Sequence, residues 1–160
     1  MDSSLQASVF AAVFAALYIA HSVGDHWVQT SHQAGTKGEP GWTGRIACAW
    51  HVLGLTVTKA VVLTPVILVL HLTVTVLGMT VGLALDAASH YWADRRTTLR
   101  RLAHRCNKTE FYSLGTPGHP KAPVTHKGAP AAHLGTGAYA LDQSWHILWL
   151  GIAALLIAAL

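Results

Sequence analysis

Residues 46–88 read IACAWHVLGLTVTKAVVLTPVILVLHLTVTVLGMTVGLALDAA, an apolar run that hardly pauses. One membrane-spanning helix needs about 20 apolar residues, so this run is too long for a single span and suits two. Proline removes a helical hydrogen bond and restricts the residue before it, so Thr64-Pro65 is the natural break. The reading predicts spans at about 46–63 and 66–88 joined by a tight turn, with the second continuing as a polar helix through Arg105.

Outward from this run, residues 5–23 form another apolar stretch, and residues 140–160 a further one. The residues before it include Asp2 and no Lys or Arg, and the apolar run is longer than a signal core, so the first stretch is expected to be a retained span rather than a leader. Residues 30–44 and 107–137 are rich in Gly and polar residues and are read as loops. The whole, residues 1–160, is expected to be one integral-membrane domain: an all-α, four-span transmembrane bundle. Composition agrees, with 52% apolar and 11% charged residues and a mean hydropathy of +0.38. Cys48 and Cys106 have no CxxC spacing, which excludes a disulfide framework or zinc knuckle.

The net charge of +4 would admit nucleic-acid binding, but the placement of the charges argues for topology instead. Ten of the 11 Lys and Arg residues lie in or beside the two loops: Lys37, Arg45, Arg95, Arg96, Arg100, Arg101, Arg105, Lys108, Lys121 and Lys127. With four spans both loops share a side, which the positive-inside rule makes cytoplasmic, with both termini outside a plasma (inner) membrane. Trp27, Trp42, Trp50, Trp92 and Trp145 fall where the spans meet that side, as an interfacial aromatic belt would. Lys59, the exception, is expected to snorkel outward.

Eleven histidines call for a reason, and the spans supply one. His21 and Asp25 end the first span, His51 begins the second, Asp86, His90 and Asp94 (DAASHYWAD) end the third, and Asp142 and His146 begin the fourth. Pairs at i, i+4 share a helical face, and every cluster falls at the cytoplasmic end. Helix bundles build metal sites in this way. The expected metal ligands are His21, Asp25, His51, His90, Asp94 and His146. Asp86 and Asp142 are the expected catalytic carboxylates, bridging, orienting a histidine or acting as general base. Imidazole with carboxylate suits a divalent transition metal, zinc first and manganese or iron next, as one or two ions. A metal-free alternative stays open, because Asp–His pairs can stitch a membrane bundle together, and Asp94 beside Arg95 can be a plain charge pair. Cys48, one turn before His51, is a weaker ligand candidate. His26, His32 and Gln29 are read as loop or supporting residues and His71 as interfacial. His119, His126 and His133 lie in a solvated loop or lid.

These motifs, AHSVGDHWVQ, His51, SHYWAD and LDQSWH, resemble those of a small bacterial and phage membrane-protein family of unknown function. More distantly the pattern is similar to inner-membrane metal-dependent hydrolases whose sites are like those of zinc phospholipases and nucleases. The resemblance implies metal-assisted hydrolysis of a phosphoester or lipid-like anionic substrate at the bilayer surface. The alternative is a non-catalytic metal-binding or accessory membrane protein, for example of a phage or mobile-element system.

Overall fold

The computed structural model describes residues 2–115 and 135–160, and these are all-helical, with no strand among them. His119, His126 and His133, read as part of a solvated loop or lid, lie outside the described residues. Helix α1 (Ser3–Val23) widens at its end into a π-helical turn, Gly24–Val28. Short α2 (Ser31–Thr36) begins with a capping box, in which Thr30 and Gln33 each accept the other's backbone N–H. Then come α3 (Gly41–Val69), α4 (Val76–Asp94), α5 (Thr97–Arg105), α6 (Thr109–Ser113) and α7 (Gly137–Ala159).

Among the described residues, three helical stretches are long and apolar enough to cross a membrane: residues 3–28, α3 and α7. In the bundle α1 lies against α3 and α7, while α4 packs on α7 and touches α3, so the four long helices close a ring. One end of the ring is filled by Val9, Val13 and Leu17 of α1, Leu63 of α3, and Leu150, Ala153 and Ile157 of α7. The other end holds the His and Asp side chains.

Two expectations about α3 and α4 are corrected. The break expected at Pro65 does not occur, because α3 runs through it to Val69. A proline costs one N–H bond, whereas ending a helix in apolar surroundings strands several groups at once, so an apolar helix tolerates it. The chain turns instead at residues 70–75, where His71 adopts φ 50 and Thr75 caps α4 by accepting from Gly78 N at 2.9 Å. The second correction concerns the far end. Helix α4 stops at Asp94 and does not continue through Arg105; Arg96 has φ 54, and α5 starts anew at Thr97. This break lets two consecutive guanidiniums reach one neighbouring segment: Arg95 donates to the main-chain oxygens of Lys37 and Glu39, and Arg96 to that of Ala34.

Helices α4 and α7 approach closely because Gly78 and Gly82 face α7. A Cβ on Gly82 would sit 2.9 Å from the Ala153 carbonyl oxygen and 2.7 Å from Ile157 Cγ1. Small residues at such contacts let backbones pack in the absence of a hydrophobic drive. Gly82→Ala is therefore expected to destabilise the bundle by about 1–3 kcal/mol, measured by thermal unfolding in detergent. An unchanged midpoint would mean that α4 can shift away at no cost.

Candidate metal centre

Each long helix delivers its polar side chains to the same end of the ring. From α1 comes His21, and the π-helical turn that follows carries Asp25. Such turns are rare and concentrate at functional sites, since they re-aim side chains relative to the helix before them. His21 Nε2 and Asp25 Oδ2 are 3.5 Å apart. From the first half of α3 comes His51. Its Nε2 lies 3.2 Å from Asp25 Oδ1, 3.2 Å from Asp94 Oδ2 and 3.1 Å from His90 Nε2. His90 and Asp94, one turn apart at the end of α4, are 3.1 Å from each other, and His90 Nε2 is 3.8 Å from Asp25 Oδ1. From α7, His146 Nε2 lies 3.9 Å from Asp94 Oδ1 and 3.5 Å from Asp142 Oδ2. The His90 and His146 rings stack with centroids 3.9 Å apart.

His21, His51, His90, Asp94 and His146 are all buried. Their polar atoms converge without pairing off. One imidazole N–H at His51 Nε2 can serve only one of the three acceptors around it. Both ring nitrogens of His21 and Nε2 of His146 have no hydrogen-bond partner. A buried polar atom left unsatisfied costs about 1–3 kcal/mol, so such an arrangement invites a cation. Among the described residues, two groups of side chains have the spacing to hold one: Asp25, His51 and His90, and His90, Asp94 and His146, with His90 common to both. Ligand atoms about 2.0–2.1 Å from a tetrahedral zinc stand roughly 3.3 Å from one another. Four separations, from His51 to Asp25, Asp94 and His90 and from His90 to Asp94, are 3.1–3.2 Å and fit that spacing, while His90–Asp25 at 3.8 Å and His146–Asp94 at 3.9 Å are wider.

Of the eight expected site residues, seven therefore gather at one end of the ring, five in the two metal-sized groups, with His21 and Asp142 beside them. Asp86 does not join them. It is buried and forms an ion pair with Lys59, itself buried in the bundle. The expectation that Lys59 snorkels outward is corrected with it: two opposite charges facing each other inside the ring satisfy one another, so neither needs to reach water. Cys48 stays out of both groups and donates instead to the Tyr91 carbonyl at 3.7 Å. His26 bonds the Ser22 carbonyl at 2.8 Å and the Tyr139 hydroxyl at 3.2 Å.

One participant was read in the sequence only as a topology charge. Lys37, just after α2, is nearly buried and its Nζ sits 2.9 Å from Asp94 Oδ2. Arg95 holds it there through the Lys37 and Glu39 carbonyls. The sole sequence hint was the Thr30–Gln33 capping box, which folds the segment back. A cavity of about 150 Å³ reaches the centre from this side, lined by Asp25, Gln29, Lys37, Asp94, Tyr139 and Asp142 among others. A wider opening of about 710 Å³ beside Trp42, Arg45 and Arg95 shares none of these carboxylates.

No curated protein and no solved structure matches the chain. A family model does, over residues 13–160, a range that takes in every side chain of the centre. The chain belongs to the family described as protein of unknown function (DUF3307), which agrees with the resemblance as far as a family of unknown function goes.

Proposed function

We propose that the protein is a four-span membrane protein whose His/Asp centre holds a divalent transition metal, zinc first, and hydrolyses a phosphoester or lipid-like anionic substrate at the cytoplasmic face. The observation that carries this reading is the pair of overlapping groups, Asp25, His51 and His90 with His90, Asp94 and His146, that share His90 and leave hydrogen bonds unmade. When bound, such an ion supplies Lewis acidity toward an ester oxygen and acidifies water toward neutral pH. The chain's own residues do the rest. His21 steadies Asp25 from one turn away. Asp142, on the cavity wall and within 3.5 Å of His146, is placed to take a proton from water entering that cavity. The Lys37 ammonium offsets the charge of Asp94 and lines the same cavity, where it can meet an anionic substrate group.

Helix α4 counts as the fourth span in this reading. Its Asp86 charge is neutralised within the ring by Lys59, which removes much of the cost of placing it at membrane depth. The highly exposed Trp27, Trp42 and Trp50 lie toward the polar end, as an interfacial belt would.

The test is metal analysis of protein purified without chelators, followed by a panel of phosphomonoesters, phosphodiesters and phospholipids. One or two equivalents of metal are expected, with turnover of at least one ester. Asp142→Asn should lower kcat about 100-fold or more while leaving metal content unchanged. The second reading is a non-catalytic membrane component, and the ion pair between Lys37 and Asp94 favours it, because a lysine already balances that carboxylate. Full metal occupancy with no turnover of any ester would decide for it.

A further inference from the structure

Beyond the centre, α5 carries Arg100, Arg101, His104 and Arg105, at i, i+1, i+4 and i+5. The main chain then turns sharply at Asn107, with φ 56, and folds α6 back against α5. His104 Nδ1 meets Thr109 Oγ1 at 3.1 Å across this fold. The result is a cavity of about 400 Å³ lined by Arg100, Arg101, His104, Arg105, Thr109 and Tyr112. Among the described residues, no carboxylate lines it. None of the ion pairs among the described residues uses Arg100, Arg101 or Arg105.

Arg100, Arg101 and Arg105 are exposed, and all three border the same concavity. Like charges at i, i+4, as in Arg101 and Arg105, cost a few tenths of a kcal/mol per pair when nothing lies between them. Three arginines border one hollow together with Thr109 and Tyr112, so their guanidinium forks are within reach of an anion with several oxygens held there, and phosphate is the chemistry such forks recognise best.

The neighbouring wall gives the site its connection. Tyr112 lines this cavity and also the 150 Å³ cavity that holds Asp25, Asp94 and Asp142. Arg96, one turn before Arg100, lines the latter. Burial raises the Tyr112 phenol above its ordinary pKa against the pull of Arg100 and Arg96, so at neutral pH it stands between the two cavities as an uncharged donor.

We propose that the α5–α6 cavity is a second binding site, for a phosphate-bearing anion, and that it holds the non-reacting anionic part of the substrate whose ester bond lies in the Asp/His cavity. The anion site stands on its own geometry, while its substrate-holding role rests on the hydrolase reading above. The phosphate can come from a lipid headgroup or from a soluble ester.

Inorganic pyrophosphate is the probe, titrated calorimetrically into the full chain in neutral detergent with EDTA present. Saturable one-to-one binding is expected, and Arg100→Gln/Arg105→Gln should weaken it about tenfold or more, since two charged hydrogen-bonding groups are lost. Arg100→Lys/Arg105→Lys keeps the charge without the fork and should fall between. These side chains are exposed, so the variants should keep the wild-type unfolding midpoint. Absence of binding, equal affinity in the Gln variant, or binding abolished by EDTA overturns the proposal, the last because it moves the anion to the metal centre. In nanodiscs, competition by phosphatidic acid over phosphatidylcholine assigns a lipid source, and pyrophosphate binding that phosphatidic acid leaves unchanged assigns a soluble one. In the hydrolytic assay the Gln variant should raise KM more than it lowers kcat. Pyrophosphate binding without any ester turnover would keep the anion site and remove its substrate-holding role along with the hydrolase reading.

Discussion

His90→Ala is expected to leave the purified protein without its metal and without hydrolytic activity. His90 is the one side chain common to both metal-sized groups, and its Nε2 lies within 3.1 Å of both His51 Nε2 and Asp94 Oδ2. Losing a supporting partner outside the ligand set commonly costs 10–100-fold in metal affinity. Removing a shared ligand should therefore cost about 100-fold or more, enough to drop occupancy from stoichiometric to a small fraction in a metal-buffered titration. His71→Ala is the control, because His71 is exposed in the α3–α4 turn, away from the centre. It should bind metal as the wild type does. A wild-type protein that carries no stoichiometric transition metal, or a His90→Ala protein that keeps it, would remove the metal reading altogether.

The second large effect concerns the ion pair inside the ring. Lys59→Met and Asp86→Asn each leave one buried charge without its partner, since both side chains are almost fully enclosed. Breaking such a pair from one side costs about 3–5 kcal/mol, whereas replacing both partners with apolar groups of similar volume is often neutral or stabilising. Each single variant should therefore unfold markedly earlier in detergent. Lys59→Met/Asp86→Leu should recover most or all of the loss. The double variant should also keep its metal, because Asp86 belongs to neither metal-sized group. Single variants as stable as wild type would show that the pair is solvated, and loss of metal in the double variant would return Asp86 to the centre.

Much of the site could be read before any fold was known, for a local reason. Spacing of i, i+4 on a helix fixes which side chains share a face, so His21 with Asp25, His90 with Asp94 and Asp142 with His146 follow from helicity alone. Each of those pairs is within 3.1–3.5 Å. The turn between α3 and α4 was harder to read, because proline in an apolar helix is a weaker breaker than proline in water. The Thr75 cap, which does mark the start of α4, is inconspicuous among the other threonines of that stretch. The end of α4 at Asp94 was illegible for another reason: Arg95 and Arg96 turn aside to bond carbonyls some sixty residues earlier, and nothing near them in sequence signals that.

The amino-acid sequence by itself therefore determined an all-helical chain rich in apolar helices, with carboxylates and imidazoles held in local pairs near the helix ends. Only the tertiary structure decided how those pairs meet. That depends on how each helix is rotated about its axis and on the π-helical turn that aims Asp25 at His51, neither of which is a property of short stretches. It also decided that Asp86 belongs to Lys59 and that Lys37 belongs to Asp94. A charge takes whichever partner packing brings within a few ångströms, and across helices that choice is made by the fold.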